Sequence, residues 1–292
     1  MPRAILSRPR LLETLGREVT DDQLRDLLWP TKAEFGESGD GTVTVECTAD
    51  RLDLLCESGL GLALAPHLGG AHGGVPMRGG NWTGPPLVIE VDESVAAVRP
   101  AIAGVVVQAP EGHSLTVGLL DEAIRFQELL HATYGANRTR SSLGIYPTER
   151  FGFPVRYSLR PIDEVVFVPL EGTEATGGRQ FLATHPLALR YGGLGVVGEQ
   201  MLCLSDPQGL LLSAPPILNS RDAGEARPGD QSLLLESTGT NAARVRESVG
   251  LLSLVFVANG WTLTPVEIQG EGQADDGLAL TTPRRIELPL TV

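Results

Sequence analysis

A chain of 292 residues, of which 42% are hydrophobic and 20% charged, has the composition of a globular protein with one large or two ordinary domains. Its net charge of −13 argues against generic nucleic-acid binding, because affinity for a polyanion comes mostly from neutralised phosphates. The sequence has no apolar run long enough to cross a membrane and no signal-peptide core at its start, so we expect a cytoplasmic protein.

Hydrophobic periodicity and turn residues predict a mixture of helices and strands. In chain order the predicted elements are a helix over 7–16, a capped helix from Thr20 to the residue before Pro30, a strand over 41–47, a helix over 53–68, strands over 87–91 and 101–108, a helix over 117–134, strands over 164–169, 200–204, 210–213 and 233–237, a helix over 240–258, and strands over 262–268 and 284–290. This order lacks the regular alternation of a doubly wound sheet and indicates the α+β class.

The segment between residues 69 and 86 is rich in glycine and proline and is expected to form a loop. It is the best candidate for a domain boundary. We therefore predict a small N-terminal α/β module over residues 1–86 and a second domain over residues 87–292.

Several kinds of chemistry lack support in the sequence. The cysteines and histidines show no ligand-like spacing, so we expect no disulfide, no metal and no other cofactor. The motif "GLGVVG" over 193–198 precedes a strand-like stretch, whereas a dinucleotide-binding loop must open a helix. The chain also lacks the GxSxG motif that would indicate a hydrolase triad.

Residues 136–160 form a basic stretch in this acidic chain, with five arginines against one glutamate. A phosphate-facing patch and a set of solvated loop arginines both explain this composition.

Two polar stretches end predicted strands: "APPILNSR" over 214–221 and "ESTGTN" over 236–241. They are dense in hydroxyl, amide and carboxylate groups, and pockets in α+β domains are often built from such loops. Together they indicate a polar small-molecule site, with ordinary turns as the alternative.

These stretches carry a resemblance. The order "PPILNS", a spacer, "LLESTGTN" and an amphipathic helix resembles the archaeal/eukaryotic-type β chain of phenylalanyl-tRNA synthetase, whose usual forms are PPIIN and TGTD. Other segments resemble that family in the same order: "ECTADRLDLLCESGLGLALAPHLG", "IRFQELLHATYGANRTRSSLGIYPTE" and "TPRRIELPL". The resemblance implies a mixed-sheet editing module of the B3/B4 type behind a small N-terminal α/β module. It also implies a free-standing protein without the family's later modules, which would not activate amino acids with ATP.

In this family the editing module hydrolyses tyrosine wrongly esterified to the phenylalanine tRNA, so the implied partner is an aromatic amino acid or its aminoacyl-tRNA. The resemblance makes Glu236 and Thr238 the catalytic candidates: a carboxylate can accept a proton from water, and a hydroxyl can donate to an oxyanion. The implied substrate-binding residues are Asn219, Ser220, Gly239, Thr240, Asn241 and Tyr146, and the implied tRNA-binding residues are Arg138 and Arg140. Thr240 is alternatively the cap of the following helix.

The chain departs from the family pattern at positions that bear on specificity. Asn241 stands where the family has Asp after TGT, and Tyr146 stands where it has His after AIG. Leu52 replaces the proline of the family's NRPDLL motif. If Asn241 and Tyr146 face the pocket, the substrate or the reaction has changed.

Three functions remain open. The first is a trans-acting deacylase of aromatic aminoacyl-tRNA. The second is an enzyme of specialised metabolism that condenses or cyclises a free amino acid in the same pocket, for example by a Pictet–Spengler reaction of tryptophan. The third is a non-catalytic partner of a synthetase. The sequence leaves the amino acid and the oligomeric state open.

Overall fold

The computed structural model describes residues 2–68 and 82–270. The helices are α1 (Arg8–Leu15), α2 (Asp21–Leu28), α3 (Glu57–Leu64), α4 (Val117–Ala132), α5 (Gly178–Thr184), α6 (Pro186–Tyr191), α7 (Arg221–Gly224) and α8 (Ala242–Val257). The strands are β1 (Arg3–Ser7), β2 (Ala33–Gly39), β3 (Thr42–Cys47), β4 (Val88–Val91), β5 (Ala101–Gln108), β6 (Ser141–Pro147), β7 (Val155–Pro161), β8 (Val166–Phe167), β9 (Thr176–Gly177), β10 (Val196–Val197), β11 (Gln200–Ser205), β12 (Leu211–Ala214), β13 (Leu218–Asn219), β14 (Ser232–Gly239), β15 (Thr262–Pro265) and β16 (Glu267–Gln269). Among the described helices, none is long and apolar enough to cross a lipid bilayer.

The N-terminal part is a three-stranded antiparallel sheet in the order β1-β3-β2, with α1, α2 and α3 beside it. Helix α1 begins where the Ser7 side chain accepts a hydrogen bond from the Arg10 N–H, and it ends at Gly16 in the left-handed conformation. Thr20 and Gln23 form the predicted capping box of α2. The predictions of these two helices are confirmed.

A four-stranded antiparallel sheet forms the middle layer, in the order β15-β5-β14-β6. One face packs on α4 and α8, where the predicted apolar stripe of Val245, Val249, Leu252 and Phe256 is buried. The other face packs on a second sheet. Because both faces are covered, β6 and β14 are buried along their whole length.

The second sheet is mixed, with the strand order β13-β12-β11-β7-β4-β16 and with β10 beside β11. Strand β4 runs parallel to β7 and β16, and the other pairs are antiparallel. The core between the sheets includes Ile89, Tyr157, Leu204 and Leu234. The architecture is α+β with a mixed sheet, as predicted.

The hydrophobic core continues from the N-terminal part into the rest of the molecule. Leu11 and Leu252 belong to one cluster of buried side chains. On α4, buried Glu122 accepts hydrogen bonds from Arg10 Nε at 2.9 Å and from the Ser58 N–H at 2.6 Å. The N-terminal part is therefore packed on the rest through apolar and ionic contacts, and the two-domain division stays a prediction.

Some element predictions need correction. The helix expected over 53–68 is interrupted at Cys56, whose backbone is extended, so that α3 lies between two 3-10 turns. The strand expected over 262–268 is two strands, of which β15 joins the middle sheet and β16 the mixed sheet. The strand expected over 164–169 is reduced to β8. The strand expected over 284–290 lies outside the described residues.

The segment 193–198 leads into a β-hairpin, because β10 pairs with β11 around Gly198, which has a φ of 56°. The prediction that a strand follows this glycine-rich motif is confirmed.

Candidate active site

A cavity of about 480 Å³ lies where α4, β6, the 213–219 segment and the 224–226 segment meet. Its wall includes the side chains of Glu236, Tyr146, Ser142, Ser213 and Asn219. The two stretches singled out in the sequence, 214–221 and 236–241, therefore both contribute to one cavity.

Glu236 lies at a buried part of this wall, with 2% of its surface exposed. Its cross-strand neighbours are Gly104 on β5 and Gly144 on β6, which leave room for the carboxylate between the two sheets. Burial raises the pKa of Glu236 to about 7, although the hydrogen bond from Tyr146 and the charge of Arg99 act to lower it. The Thr238 hydroxyl also acts to lower the pKa of Glu236, whose Oε1 is buried and has no other hydrogen-bond partner within the described residues.

Tyr146 bridges Glu236 to the opposite sheet. Its hydroxyl donates to Glu236 Oε2 at 2.9 Å and lies 3.0 Å from Ser213 Oγ. The ring leans back over Gly144, where a Cβ atom would come within 2.0 Å of the phenol oxygen. Burial and the carboxylate hold the pKa of Tyr146 well above its usual value, so the phenol stays protonated.

Thr238 lies on the same face of β14 but behind the cavity wall. Its Oγ1 is 3.1 Å from Ser142 Oγ, and its carbonyl oxygen accepts a hydrogen bond from Arg99 Nη2 at 2.6 Å. Thr238 is fully buried, so in this conformation it supports Ser142, which does line the cavity. Its catalytic role stays a prediction.

Arg99 is the residue of this site that the sequence did not reveal. It is 1% exposed and donates to Ser142 Oγ at 3.1 Å and to the Arg138 carbonyl oxygen at 2.9 Å. Within the described residues it forms no ion pair closer than 4 Å. Burial lowers the pKa of Arg99, and Tyr157 and then Glu236 act in the opposite direction. Arg99 is thus a buried cation that hydrogen-bonds to carbonyl and hydroxyl oxygens of the site.

The polar side chains of Asn219 and Ser220, in the 214–221 stretch, form hydrogen bonds with the protein's own backbone. Asn219 lines the cavity, and its Nδ2 donates to the carbonyl oxygens of Ile145 and Gly224. Ser220 lies outside the wall, caps α7 and donates to the Leu211 carbonyl oxygen. The structure therefore brings Asn219 to the cavity and gives Ser220 a structural role.

The residues after Thr238 also lie outside the cavity wall. A Cβ atom at Gly239 would meet the Arg140 carbonyl oxygen at 2.1 Å, so this position needs glycine. Thr240 donates to the Thr139 carbonyl oxygen and does not cap α8. The cap is Asn241, whose Oδ1 accepts from the Arg244 N–H at 3.0 Å. The alternative that Thr240 is the cap is wrong, because the helix begins two residues later.

The predicted tRNA-binding arginines have different surroundings. Arg138 is buried in the cavity wall, donates to the carbonyl oxygens of Pro216 and Ile217 and pairs with Glu128 at 3.0 Å. The phosphate-facing role expected for it does not fit this placement, because its guanidinium is engaged inside the protein. Arg140 is exposed, and its contact with tRNA stays a prediction.

Arg138 reaches the wall through an uncommon backbone turn. Ala136, Asn137 and Arg138 have positive φ angles of 50°, 53° and 67°. Left-handed conformations cost non-glycine residues roughly 1 kcal/mol each. The turn is thus a locally strained segment that aims Arg138 at the 213–219 segment.

His131 is part of the wall and is held neutral. Its Nε2 accepts a hydrogen bond from the Leu143 N–H at 2.7 Å, so its proton is on Nδ1, which donates to Glu128 Oε1. Burial lowers the pKa of His131. His131 thus holds the start of β6 to α4.

The charged groups of the cavity are mostly acidic. They are Glu128, Glu171, Glu225 and Glu236 against Arg138. Glu128 pairs with Arg138 and Glu225 with Arg227, which leaves Glu171 and Glu236 without an ion pair among the described residues. In residues 2–68 and 82–270, no three His, Cys, Asp or Glu side chains come together as metal ligands.

The fold defines the class of this protein. An N-terminal fragment of the phenylalanyl-tRNA synthetase beta-subunit from Pyrococcus horikoshii superposes with a TM-score of 0.81, covering 92% of this chain and 77% of that one at 22% identity. The chain has the fold of that fragment. No family model matches the sequence.

Sequence relatives belong to the same family as that fragment. The chain is 31% identical over 281 residues to the phenylalanine–tRNA ligase beta subunit of Halorubrum lacusprofundi, covering 92% of this chain and 47% of the relative. It is 30% identical over 274 residues to the beta subunit of Metallosphaera sedula, covering 92% and 48%. The chain is a homologue of phenylalanine–tRNA ligase beta subunits, which confirms the resemblance, and it spans about half the length of these relatives.

Proposed function

We propose that this chain is an editing-type hydrolase that deacylates an aromatic aminoacyl-tRNA. The observation that carries the proposal is the Glu236 carboxyl, which is buried in the wall of a cavity and has a pKa of about 7. A carboxyl with this pKa can both accept and return a proton near neutral pH, as ester hydrolysis requires. The homology to synthetase beta subunits supports an aminoacyl ester as the substrate.

The charge of the cavity favours an ester over a free amino acid. A free amino acid brings a carboxylate, and Arg138 is the cation of the wall. Both terminal nitrogens of its guanidinium already donate to Glu128, Pro216 or Ile217. An ester lacks that negative charge and keeps an ammonium group, which acidic side chains attract. The cavity therefore suits deacylation better than condensation of a free amino acid.

The chemistry follows from the positions of these groups. Glu236, as the general base, takes a proton from a water molecule in the cavity whose wall it forms. The water oxygen then bonds to the ester carbonyl carbon. The Ser142 hydroxyl, positioned by Thr238 and Arg99, is a donor available for the developing oxyanion. When the ester bond breaks, the proton passes from Glu236 to the departing ribose oxygen.

The direct test measures deacylation of phenylalanyl- and tyrosyl-tRNA(Phe) by the purified chain and by its Glu236→Gln variant. Because no other protein is added, the same assay tests whether the chain acts as a free-standing protein. The proposal predicts release of at least one amino acid and loss of about a hundredfold or more in rate in the variant. Glu90→Gln, at an exposed ion pair, is the matched control.

Two outcomes would overturn the proposal. One is no acceleration of deacylation together with Glu236-dependent binding of free Phe, Tyr or Trp in calorimetry, which would favour the condensing enzyme. The other is tRNA or synthetase binding without any Glu236-dependent reaction, which would favour a non-catalytic partner.

A further inference from the structure

The tyrosine at position 146 already supplies a phenol to the carboxylate of the cavity. Its hydroxyl contacts Glu236 Oε2 and Ser213 Oγ at 2.9 and 3.0 Å, so a phenol is bound here by one carboxylate and one hydroxyl. Tyr146 is 1% exposed and lines the cavity. Its ring therefore fills the place beside Glu236 that a phenolic ligand would occupy.

The surroundings of the ring are shaped for this arrangement. The rotamer of Tyr146 requires that residue 144 has no Cβ atom, because that atom would lie 2.0 Å from the phenol oxygen and 2.4 Å from Cζ. Gly144 is the cross-strand neighbour of Glu236, so the glycine, the carboxylate and the ring form one fitted unit. Ser213 completes it from the mixed sheet.

We infer that Tyr146 is a specificity-determining residue, which occupies a phenol subsite beside Glu236 and so excludes ligands that bring a phenol of their own to it. This inference rests on the proposed function and narrows its substrate class. The favoured amino acids are aromatic or apolar side chains without a para-hydroxyl group, such as that of phenylalanine.

A phenol on the ligand competes with Tyr146 for the same carboxylate oxygen of Glu236. To reach Glu236 Oε2, the phenol of a ligand must displace the buried ring of Tyr146 and its hydrogen bond to that oxygen. The hydrogen bond that the ligand then forms is equivalent to the one that is lost. Hydrogen bonds to charged groups contribute about 1.5–3 kcal/mol, which is tenfold or more in affinity. The wild type is therefore expected to gain no affinity from a para-hydroxyl group on the ligand, and such a gain is expected only when the Tyr146 ring is removed.

The experiment measures binding of L-phenylalaninamide and L-tyrosinamide, which carry no ester, to the full chain by calorimetry. The wild type is expected to bind tyrosinamide no better than phenylalaninamide. Tyr146→Ala opens the subsite and is expected to shift the affinity ratio at least about tenfold toward tyrosinamide. Tyr146→Phe keeps the ring, and its ratio is expected to stay within about twofold of the wild type.

A second arm is independent of any amine or ester site. p-Cresol and toluene share the same methyl-substituted ring, and p-cresol differs only by its para-hydroxyl group. Tyr146→Ala is expected to bind p-cresol at least about tenfold more tightly than toluene, because the opened space ends at a carboxylate. If Tyr146→Ala does not fold, Gly144→Ala is measured in its place. The new Cβ atom would clash with the Tyr146 phenol and so move it away from Glu236, while the tyrosine stays in the chain. Gly144→Ala is expected to shift the amide ratio in the same direction.

The outcomes separate the two proposals. A wild type that prefers tyrosinamide tenfold, or an unchanged amide ratio in both Tyr146→Ala and Gly144→Ala, overturns the inference even if the chain deacylates tRNA. Preference of Tyr146→Ala for p-cresol in a chain that deacylates nothing supports the phenol subsite and overturns only the proposed function.

Discussion

Glu236 is the residue on which the account of this protein depends, and its ionisation has a consequence for stability. A glutamate in the unfolded chain ionises near pH 4.5, whereas Glu236 in the folded protein keeps its proton until about pH 7. Between these values the folded state holds the additional proton, so rising pH favours unfolding. The contribution of Glu236 to stability is therefore greatest below pH 4.5 and is lost as pH rises through 7.

This linkage predicts the behaviour of Glu236→Gln. From pH 5 to pH 8 the wild type is expected to lose about 2–3 kcal/mol of stability more than the variant, because glutamine does not titrate. Urea denaturation at the two pH values measures the difference, and Glu90→Gln, at an exposed position, should follow the wild type. Equal pH dependence in the wild type and Glu236→Gln would mean that Glu236 is not held protonated by burial.

At the scale of elements, the junction of β14 and α8 separates residues of the site from residues of the scaffold. Glu236 faces the cavity, Thr238 supports the wall, and Asn241 caps the helix. Asn and Asp both cap a helix by accepting hydrogen bonds from its first N–H groups, so Asn241 can replace the aspartate of the family without loss of the cap.

The role of Asn241 can be tested by two substitutions. Asn241→Ala is expected to destabilise the protein by about 1 kcal/mol, and Asn241→Asp is expected to keep or improve stability, since a negative charge is favourable at a helix N-terminus. Thermal denaturation and deacylation are measured together. A large loss of activity in a stable Asn241→Asp would show that Asn241 contacts substrate, as the sequence comparison had suggested.

The elements also show what the sequence does and does not reveal. Glu236 and Asn219 were singled out because each follows an apolar run that was expected to end a strand. The expectation is wrong for Glu236, because β14 continues to Gly239 between two paired strands. Strand β6 was missed because both its faces are buried, so "SSLGIYP" shows no alternation. Arg99 has no local signal, since its partners lie 39 to 139 residues away along the chain. Tyr146 was singled out by family resemblance alone, and its contact with Glu236 required the fold.

At the scale of the whole molecule, the N-terminal part and the rest are joined by a buried ionic network. Arg10 pairs with Glu122 and donates to Asn259, and Asn259 in turn donates to Ser58. The neighbouring Leu11 and Leu252 share one hydrophobic cluster. This arrangement indicates that the two parts unfold together.

Glu122→Ala tests this coupling, because it removes the buried carboxylate that joins Arg10 to the Ser58 N–H, although Arg10 keeps its ion pair with Glu13. The variant is expected to lose about 3–5 kcal/mol in its free energy of unfolding. The wild type is expected to unfold in a single calorimetric transition. Replacing both partners, in Arg10→Met/Glu122→Leu, is expected to recover part of the loss. Two separate transitions in the wild type would instead support independent domains on either side of the predicted boundary.

The measurement that tests the central claim most directly is the pH dependence of single-turnover deacylation of phenylalanyl-tRNA(Phe), with the uncatalysed rate subtracted. A general base with a pKa of about 7 predicts a rate that rises through neutral pH and then levels, and a Glu236→Gln variant that is slower by about a hundredfold and lacks this rise. A wild-type rate that does not exceed the uncatalysed one, or a Glu236→Gln variant that keeps the wild-type profile, would contradict the account.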